Sequence, residues 1–227
     1  MRAANTMVGM LKKPSTKAVY GAVAQAIAAR FDYPLPDAYA PFDAIDLGLL
    51  VREPFRIGIV YGPSGSGKTQ AIARLGSLVE PRWERGKVVA DHFVDADAAM
   101  RYLLAAGLSS VPQMLKPHSM LSNGEQYRAT LARRLAERKA GEVLCVDEFT
   151  SVVDRVVARS LCASLDRHLE AGAGVVLATC HADVIPWLRP DWVVNAADGS
   201  LARGGGEPAA RWRLWLGPKV AELRYEA

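Results

Sequence analysis

The feature that most constrains this chain is one eight-residue run. Residues 62–69 have the sequence GPSGSGKT, which matches the G-x-x-x-x-G-K-[ST] pattern of a P-loop in full. A short β-branched segment, Arg56–Tyr61, precedes the run, and apolar residues at helical spacing follow it over Thr69–Leu78. A strand that passes through a glycine-rich turn into a helix presents backbone N–H groups to phosphate oxygens with no Cβ in the way. The run therefore predicts an α/β fold organised around a phosphate-binding loop.

The chemistry expected of this loop is nucleotide binding together with a magnesium ion. We expect Lys68 to reach the β- and γ-phosphates of ATP and the Thr69 hydroxyl to bind Mg²⁺. The residues predicted to contact the nucleotide are Gly62, Pro63, Ser64, Gly65, Ser66, Gly67, Lys68, Thr69 and Gln70. A glycine turn that binds no ligand is the alternative, and the completeness and placement of the pattern argue against it.

The rest of the chain alternates strand-like and helix-like segments. The predicted strands are Lys87–Ala90, Glu142–Val146 and Gly174–Thr179, and the predicted helices are Asp97–Ala106, Gly124–Lys139 and Arg155–Glu170. Such alternation predicts a mostly parallel sheet covered by helices on both faces, with ligands at the carboxyl ends of the strands. The stretch Asp191–Ala227, with three consecutive glycines, is expected to add an antiparallel edge.

Two acidic residues directly follow one of the predicted strands. The apolar strand Glu142–Val146 ends in Asp147 and Glu148, so both carboxylates are expected at the sheet edge where the P-loop lies. Asp147 is expected to hold Mg²⁺, and Glu148, one residue further out, to orient or deprotonate an attacking water. A pair of exposed loop acids is the alternative, and the P-loop upstream favours the catalytic interpretation.

A third motif, LSNGEQ at residues 121–126, lies at the start of the predicted helix Gly124–Lys139. It resembles the LSGGQ signature of ABC-type ATPases. The resemblance implies that Ser122 and Gly124 contact the γ-phosphate held by the other subunit, so that two copies close head-to-tail around two ATP molecules. A helix N-terminus preceded by Ser and Gly is also an anion site on physical grounds. Ser122 with Glu125 three residues later is equally a capping box, which is the plain structural alternative.

The order of further motifs supports this resemblance. Residues 151–154, SVVD, resemble the D-loop of ABC-type ATPases, and His181 follows the strand Gly174–Thr179 in the place of the switch histidine of that family. The resemblance implies that Asp154 joins the two subunits near the sites and that His181 contacts the γ-phosphate. The implied fold is the P-loop NTPase fold of the ABC type, and the implied activity is ATP hydrolysis. The predicted catalytic residues are Lys68, Glu148 and His181.

The sequence departs from that family in the segments around the motifs. Only 53 positions separate Lys68 from Leu121, which predicts a reduced helical subdomain and argues against a conventional transporter subunit. Gln113 is the candidate for the glutamine-loop residue of the metal site, although it lies just 8 positions before Leu121. Tyr39 is the nearest aromatic candidate to stack on adenine, with Phe42 as a rival. The compact pattern resembles the soluble ABC-type ATPases of bacteria and their phages.

Composition bears on the location and organisation of the chain. Half of the 227 residues are apolar, and no apolar run approaches the eighteen or so residues of a membrane span. A secretory leader is not expected, and Cys145, Cys162 and Cys180 fit neither a disulfide framework nor a CxxC metal site. We therefore expect a cytoplasmic protein in which the cysteines are reduced packing residues. We also expect two parts: a basic helical segment with its connection over 1–46, and the ATPase domain over 47–227.

The first 31 residues contain basic side chains and no acidic ones. One interpretation is the solvated face of an alanine-rich helix over Ala18–Phe31, and the other is a contact with nucleic acid or an acidic partner. The leading functional hypothesis is a soluble ABC-type ATPase whose closure as a homodimer acts on nucleic acid or protein. The alternatives are the ATPase subunit of a membrane transporter, and a P-loop kinase in which Glu148 acts on an acceptor hydroxyl.

Overall fold

A five-stranded sheet forms the centre of the protein, for which the computed structural model describes residues 16–39, 47–76 and 78–203. The strands are β1 (Thr16–Lys17), β2 (Ala38–Tyr39), β3 (Ile57–Tyr61), β4 (Leu144–Val146), β5 (Val175–Thr179), β6 (Trp192–Asn195) and β7 (Leu201–Arg203). The last five form the central sheet in the order β4-β5-β3-β6-β7, and only the β6–β7 pair is antiparallel within it. The predicted mostly parallel sheet with an antiparallel edge is confirmed. The stretch expected to add this edge begins with β6, which is parallel to β3 and antiparallel to β7.

Helices cover both faces of this sheet. The helices of the described residues are α1 (Ala22–Arg30), α2 (Leu47–Leu50), α3 (Lys68–Ala73), α4 (Ala96–Ala105), α5 (Val111–Met114), α6 (Asn123–Glu137), α7 (Arg155–His168) and α8 (Val184–Leu188). Because side chains alternate across a strand, β3 serves both layers. Ile57 and Ile59 belong to the core cluster of α4, α6, α7 and α8, whereas Val60 belongs to that of α2 and α3. The P-loop therefore leaves a strand that is packed on both faces.

The predicted strand Lys87–Ala90 is wrong. The segment forms a 3-10 turn over Val89–His92, and its one strand-like contact is an isolated bridge at Val88. The valines satisfy the β-branched pattern, but a hydrogen bond from the Asp91 N–H to the Val88 carbonyl (3.2 Å) curls the chain within four residues. A local pattern cannot tell a strand from such a turn when the segment meets no sheet edge.

The helix after the P-loop is shorter than predicted. It was expected over Thr69–Leu78, and α3 ends at Ala73. Gly76 explains the early end, because a Cβ at that position would lie 2.2 Å from the carbonyl oxygen of Val143, just before β4. The chain must leave the helix to pass this close to the sheet. The other predicted helices and strands are present with small shifts at their ends.

The described part of the N-terminal segment is a short antiparallel pair around α1. Strands β1 and β2 pair Thr16 with Tyr39, and α1 begins after the extended residue Gly21. The apolar side chains of α1 and its flanks are exposed at a spacing of four residues, at Val19, Val23, Ile27 and Phe31. This exposed face is apolar. Of the five basic residues among the first 31, Arg2, Lys12 and Lys13 lie outside the described residues.

Cys145 and Cys162 are buried, as expected of packing residues, whereas Cys180 is exposed. The packing role is therefore wrong for Cys180. Burial raises the pKa of Cys145 to about 12, which keeps this thiol protonated. Within the described ranges, no helix has the combination of length and apolar character that a membrane crossing requires.

Candidate nucleotide-binding site

The carboxyl ends of three adjacent strands bring the predicted motifs together. Strand β5 lies between β3 and β4, and Tyr61 at the end of β3 is paired with Thr179 at the end of β5. The P-loop leaves β3, the acidic pair leaves β4, and His181 stands two residues beyond β5. Neighbouring strands are about 4.8 Å apart, so the P-loop strand and the acidic strand are separated by about 10 Å, with the histidine strand between them.

The P-loop is held in place by backbone geometry and by Lys68. Gly65 and Gly67 have φ angles of +78° and +85°, in the left-handed region that favours glycine. Lys68 is only 6% exposed, and its Nζ donates hydrogen bonds to the carbonyl oxygens of Gly62 and Pro63, both at 2.8 Å. The positive charge of the loop is therefore fixed inside the turn.

The loop has the chemistry of a phosphate site. The Ser66 hydroxyl oxygen is buried and has no hydrogen-bond partner within the described ranges, and such an atom needs a polar ligand to offset its lost hydration. A Cβ at Gly62 would approach this oxygen to 2.8 Å, so only glycine leaves the space. Ser64, Thr69 and Gln70 are exposed, which leaves their side chains accessible to a nucleotide.

The two acidic residues have different surroundings. Asp147 is half-buried and lines a cavity of about 220 Å³ with Leu78, Tyr127 and Thr130, and its Oδ1 accepts a hydrogen bond from the Glu148 N–H (2.9 Å). In the part of the chain that the structure describes, no group of three or more His, Cys, Asp or Glu side chains is placed to hold a metal alone. Thr69 and Asp147 carry oxygen atoms of the kind that Mg²⁺ binds together with phosphate and water, and their assignment as metal ligands stays a prediction.

Glu148 is exposed and sits on a strained backbone. Its φ angle is +49°, in a region that non-glycine residues seldom occupy, at a typical cost of about 1–3 kcal/mol. Its Oε2 accepts a hydrogen bond from the Ser151 hydroxyl at 2.6 Å. Strain of this kind persists where the surrounding structure fixes the conformation, and here it accompanies a carboxylate just beyond the end of β4, separated by one strand, β5, from the P-loop strand.

His181 is held by side chains from two parts of the chain. Its Nδ1 lies 2.9 Å from the Thr150 hydroxyl, and its backbone N–H donates to the Thr179 hydroxyl at 3.0 Å. Burial, and then the charge of Arg155, lower the pKa of His181, against the opposing effects of nearby carboxylates. The imidazole is therefore neutral at pH 7.

Residues 121–126, which resemble the LSGGQ signature, cap α6 and lie against residues 151–154, which resemble a D-loop. Ser122 is the N-cap, its N–H donates to Glu125 Oε2 at 2.8 Å, and the reciprocal capping box is present. The bond from Ser122 is the largest cause of the lowered pKa of Glu125. A Cβ at Gly124 would come within 3.4 Å of Val153 Cγ1 and 3.5 Å of the Val152 carbonyl. Ser122 therefore caps α6, as the structural alternative predicted. The residue is also exposed to solvent.

Two predicted ligands lie in other surroundings. Gln113, on α5, is near enough to the Glu125 side chain to contribute to its lowered pKa, and so it lies near the start of α6. Its assignment to the metal site stays a prediction. Tyr39 lies in β2, and its stacking on adenine is untested, while its rival Phe42 lies outside the described residues.

Sequence reasoning missed the threonines that surround His181. Thr150 and Thr179 are fully buried, and Arg155 reaches both Thr150 (3.4 Å) and Asp183, where its Nε donates to Oδ2 at 2.9 Å. Thr150 belongs to the motif that follows Glu148, but only the pairing of β4 with β5 brings it to a histidine 31 positions later. No local sequence signal encodes that contact.

Comparisons with known proteins agree on the fold. No protein-family model matches the sequence, and no curated protein matches it. The ATP-binding cassette MJ0796, in a dimeric post-hydrolysis state bound to ADP and Pi, is similar in structure with a TM-score of 0.52 and 17% identity, over 65% of this chain and 85% of that one. A bacterial Atm1-family ABC exporter with ATP bound has a TM-score of 0.52 and 16% identity, over 75% of this chain and 37% of the exporter. At these identities the likeness is one of fold.

Proposed function

We propose, from the premise that this chain has the fold of the ABC-type nucleotide-binding domain, that it binds and hydrolyses ATP between two copies closed head-to-tail. The observation that carries the proposal is the convergence of the P-loop, the acidic pair and His181 at adjacent strand ends. Lys68, Glu148 and His181 belong to motifs 33 to 113 positions apart along the chain, and these motifs meet at one edge of the sheet. Chance placement of unrelated polar residues does not produce this arrangement.

The proposed roles follow from the positions of the side chains. Lys68 and the loop N–H groups bind the β- and γ-phosphates, and Thr69 and Asp147 hold Mg²⁺, which offsets charge on the phosphates when it is bound. Glu148, exposed and fixed by Ser151, orients the attacking water and takes its proton. His181 donates a hydrogen bond from its ring N–H to an oxygen of the γ-phosphate.

Labelled ATP tests this reaction directly. ATP carrying ³²P on its γ-phosphate is incubated with the protein and Mg²⁺, with and without a chelator. Free phosphate that forms only with Mg²⁺ supports hydrolysis. Transfer of label to an acceptor hydroxyl would favour a P-loop kinase, and no release of phosphate at any protein concentration would contradict the proposal.

Ser122→Arg tests closure without touching the P-loop. The exposed Ser122 caps α6 beside residues 151–154, on the face proposed to meet the other copy. We expect the variant to bind ATP normally and to lose dimerisation, with turnover reduced about 100-fold, because a bulky cation replaces the hydroxyl at the shared phosphate. Equilibrium binding by fluorescence and sedimentation with ATP measure the two properties separately.

The matched control is Ser160→Arg, which places the same side chain on the exposed side of α7. That variant is expected to dimerise and turn over as the wild type does. Normal turnover by the Ser122→Arg protein would mean that Ser122 acts as a helix cap alone.

We propose further that the protein works in the cytosol on a macromolecular partner, nucleic acid or protein, rather than as a transporter subunit. The nucleic acid hypothesis depends on the basic residues before Thr16, since the described part of that segment balances Lys17 and Arg30 with Asp32 and Asp37. If nucleic acid is bound, affinity should fall steeply with salt, and replacing Lys12, Lys13 and Lys17 by Gln should flatten the slope by about 2–3 units. Fluorescence anisotropy with single- and double-stranded oligonucleotides measures this. Binding that is insensitive to salt would remove nucleic acid from the proposal, and copurification with membranes would favour a transporter.

A further inference from the structure

The ring of His181 is fixed at one nitrogen by a buried hydroxyl. Thr150 is fully buried, and its Oγ1 lies 2.9 Å from Nδ1 of His181. The two ring nitrogens of imidazole point in divergent directions, so a bond at Nδ1 turns Nε2 away from Thr150. A hydroxyl both donates and accepts, so this contact serves whichever way the proton lies on the neutral ring.

The backbone around Thr150 is arranged to make this contact. Thr150 has a φ angle of +68°, an outlying conformation for a β-branched residue. The preceding residue, Phe149, is bound on both sides to β5: its N–H donates to the Ala178 carbonyl (2.8 Å), and its carbonyl accepts from the Thr179 hydroxyl (3.0 Å). These bonds hold an unfavourable conformation that directs the Thr150 hydroxyl to the residue just after β5.

Charged neighbours surround the pair and keep it oriented. The Arg155 guanidinium approaches Thr150 Oγ1 at 3.4 Å and forms a two-point ion pair with Asp183, two residues beyond His181. Arg155 also lies over the Trp187 ring, with its Cζ 5.4 Å from the ring centroid. Because Arg155 can only donate, it occupies one lone pair of the Thr150 oxygen and leaves the hydroxyl proton and the second lone pair for His181.

We propose that Thr150 is a positioning residue that fixes the His181 ring through Nδ1, so that Nε2 is presented to the terminal phosphate of the nucleotide. This inference rests on the proposed function, since it deepens the role of His181 in that site. Thr150 does not touch the nucleotide in this proposal. It acts through the histidine.

Kinetics of Thr150→Val and Thr150→Ser test the proposal. Valine keeps the branched shape and removes the hydroxyl, and serine keeps the hydroxyl. We expect the valine variant to lower kcat for ATP about tenfold with KM within about twofold of the wild type, and the serine variant to recover most of the loss. Equal activity of wild type and Thr150→Val would overturn the proposal, as would an equal loss in Thr150→Ser. If the valine variant does not fold, Thr150→Ala provides the same comparison.

A double-mutant cycle tests whether Thr150 acts through His181. In a His181→Ala background, Thr150→Val should cause no further loss of kcat, because the group that it positions is gone. A full additional tenfold loss in the double variant would show that Thr150 acts by another route, and would overturn the proposal.

Nitrogen NMR of the nucleotide-free protein separates this inference from the proposed function. The ¹⁵N signal of His181 Nδ1, assigned with His181→Ala among the four histidines, should shift in Thr150→Val and keep its position in Thr150→Ser. An Nδ1 signal that does not respond to Thr150→Val would overturn the inference even in an active ATPase. A protein that hydrolyses no ATP but shows the shift would refute the proposed function and leave the contact standing.

Discussion

Replacing Glu148 by Gln is expected to stop turnover and leave a stable dimer with ATP bound. Glutamine has the shape of glutamate and can still accept the bond from Ser151, so the strained turn and the P-loop should be undisturbed. It cannot take a proton from water at neutral pH, and loss of a general base typically lowers kcat by about 10²–10⁴-fold. With hydrolysis blocked and binding retained, the ATP-closed state accumulates. Turnover is therefore expected to fall while the fraction of dimer rises.

Two measurements establish this result. Phosphate release gives turnover, and sedimentation with and without ATP gives the fraction of dimer, with the nucleotide identified by extraction from the dimer peak. Glu142→Gln is the matched control, because Glu142 is an exposed acid just before β4, at the other end of the strand that Glu148 follows. The control should behave as the wild type does. A Glu148→Gln protein that stays monomeric in every nucleotide state would count against closure, and one that turns over normally would assign the base to another residue.

The central sheet and the meeting of the motifs at one of its edges were predictable because their signals are local. The P-loop pattern, the apolar strand that ends in Asp147 and Glu148, and the strand before His181 each encode one strand end within a few residues. Parallel strands then place those ends together without further information. The mostly parallel sheet is therefore confirmed, with these motifs at its strand ends, whereas the roles of the individual residues stay predictions.

The parts that sequence could not give depend on contacts between distant segments. The turn at Val89–His92 is fixed by a bond from the Val89 N–H to the Lys116 carbonyl, 27 positions away, and the early end of α3 by the approach of Gly76 to Val143. The Thr150–His181 contact is of the same kind. Each of these contacts forms only when the sheet is packed, so hydrophobic periodicity and secondary-structure propensity do not predict it.

Lys68→Ala is expected to abolish tight binding of ATP. The ammonium is buried within the turn and donates to the carbonyls of Gly62 and Pro63, so it is already held where the phosphates of the nucleotide are proposed to lie. Charge-assisted hydrogen bonds to phosphate are each worth about 1.5–3 kcal/mol, which predicts a loss of affinity of at least about 100-fold for two of them. Dimerisation with ATP should disappear as well, because the nucleotide that joins the two copies is no longer held.

The loss of affinity must be separated from a loss of fold. Titration calorimetry with Mg-ATP gives the affinity, and thermal unfolding without nucleotide must show a cooperative transition, with a loss of stability of about 1–3 kcal/mol because the carbonyl of the buried Gly62 loses the hydrogen bond from Lys68. The control for charge alone is Lys116→Ala. It removes an exposed cation that follows α5 in the sequence, outside the P-loop. The proposal would be contradicted if Lys68→Ala, with its fold intact, bound ATP within about threefold of the wild-type affinity. Residues 62–69 would then be a glycine turn that binds no nucleotide.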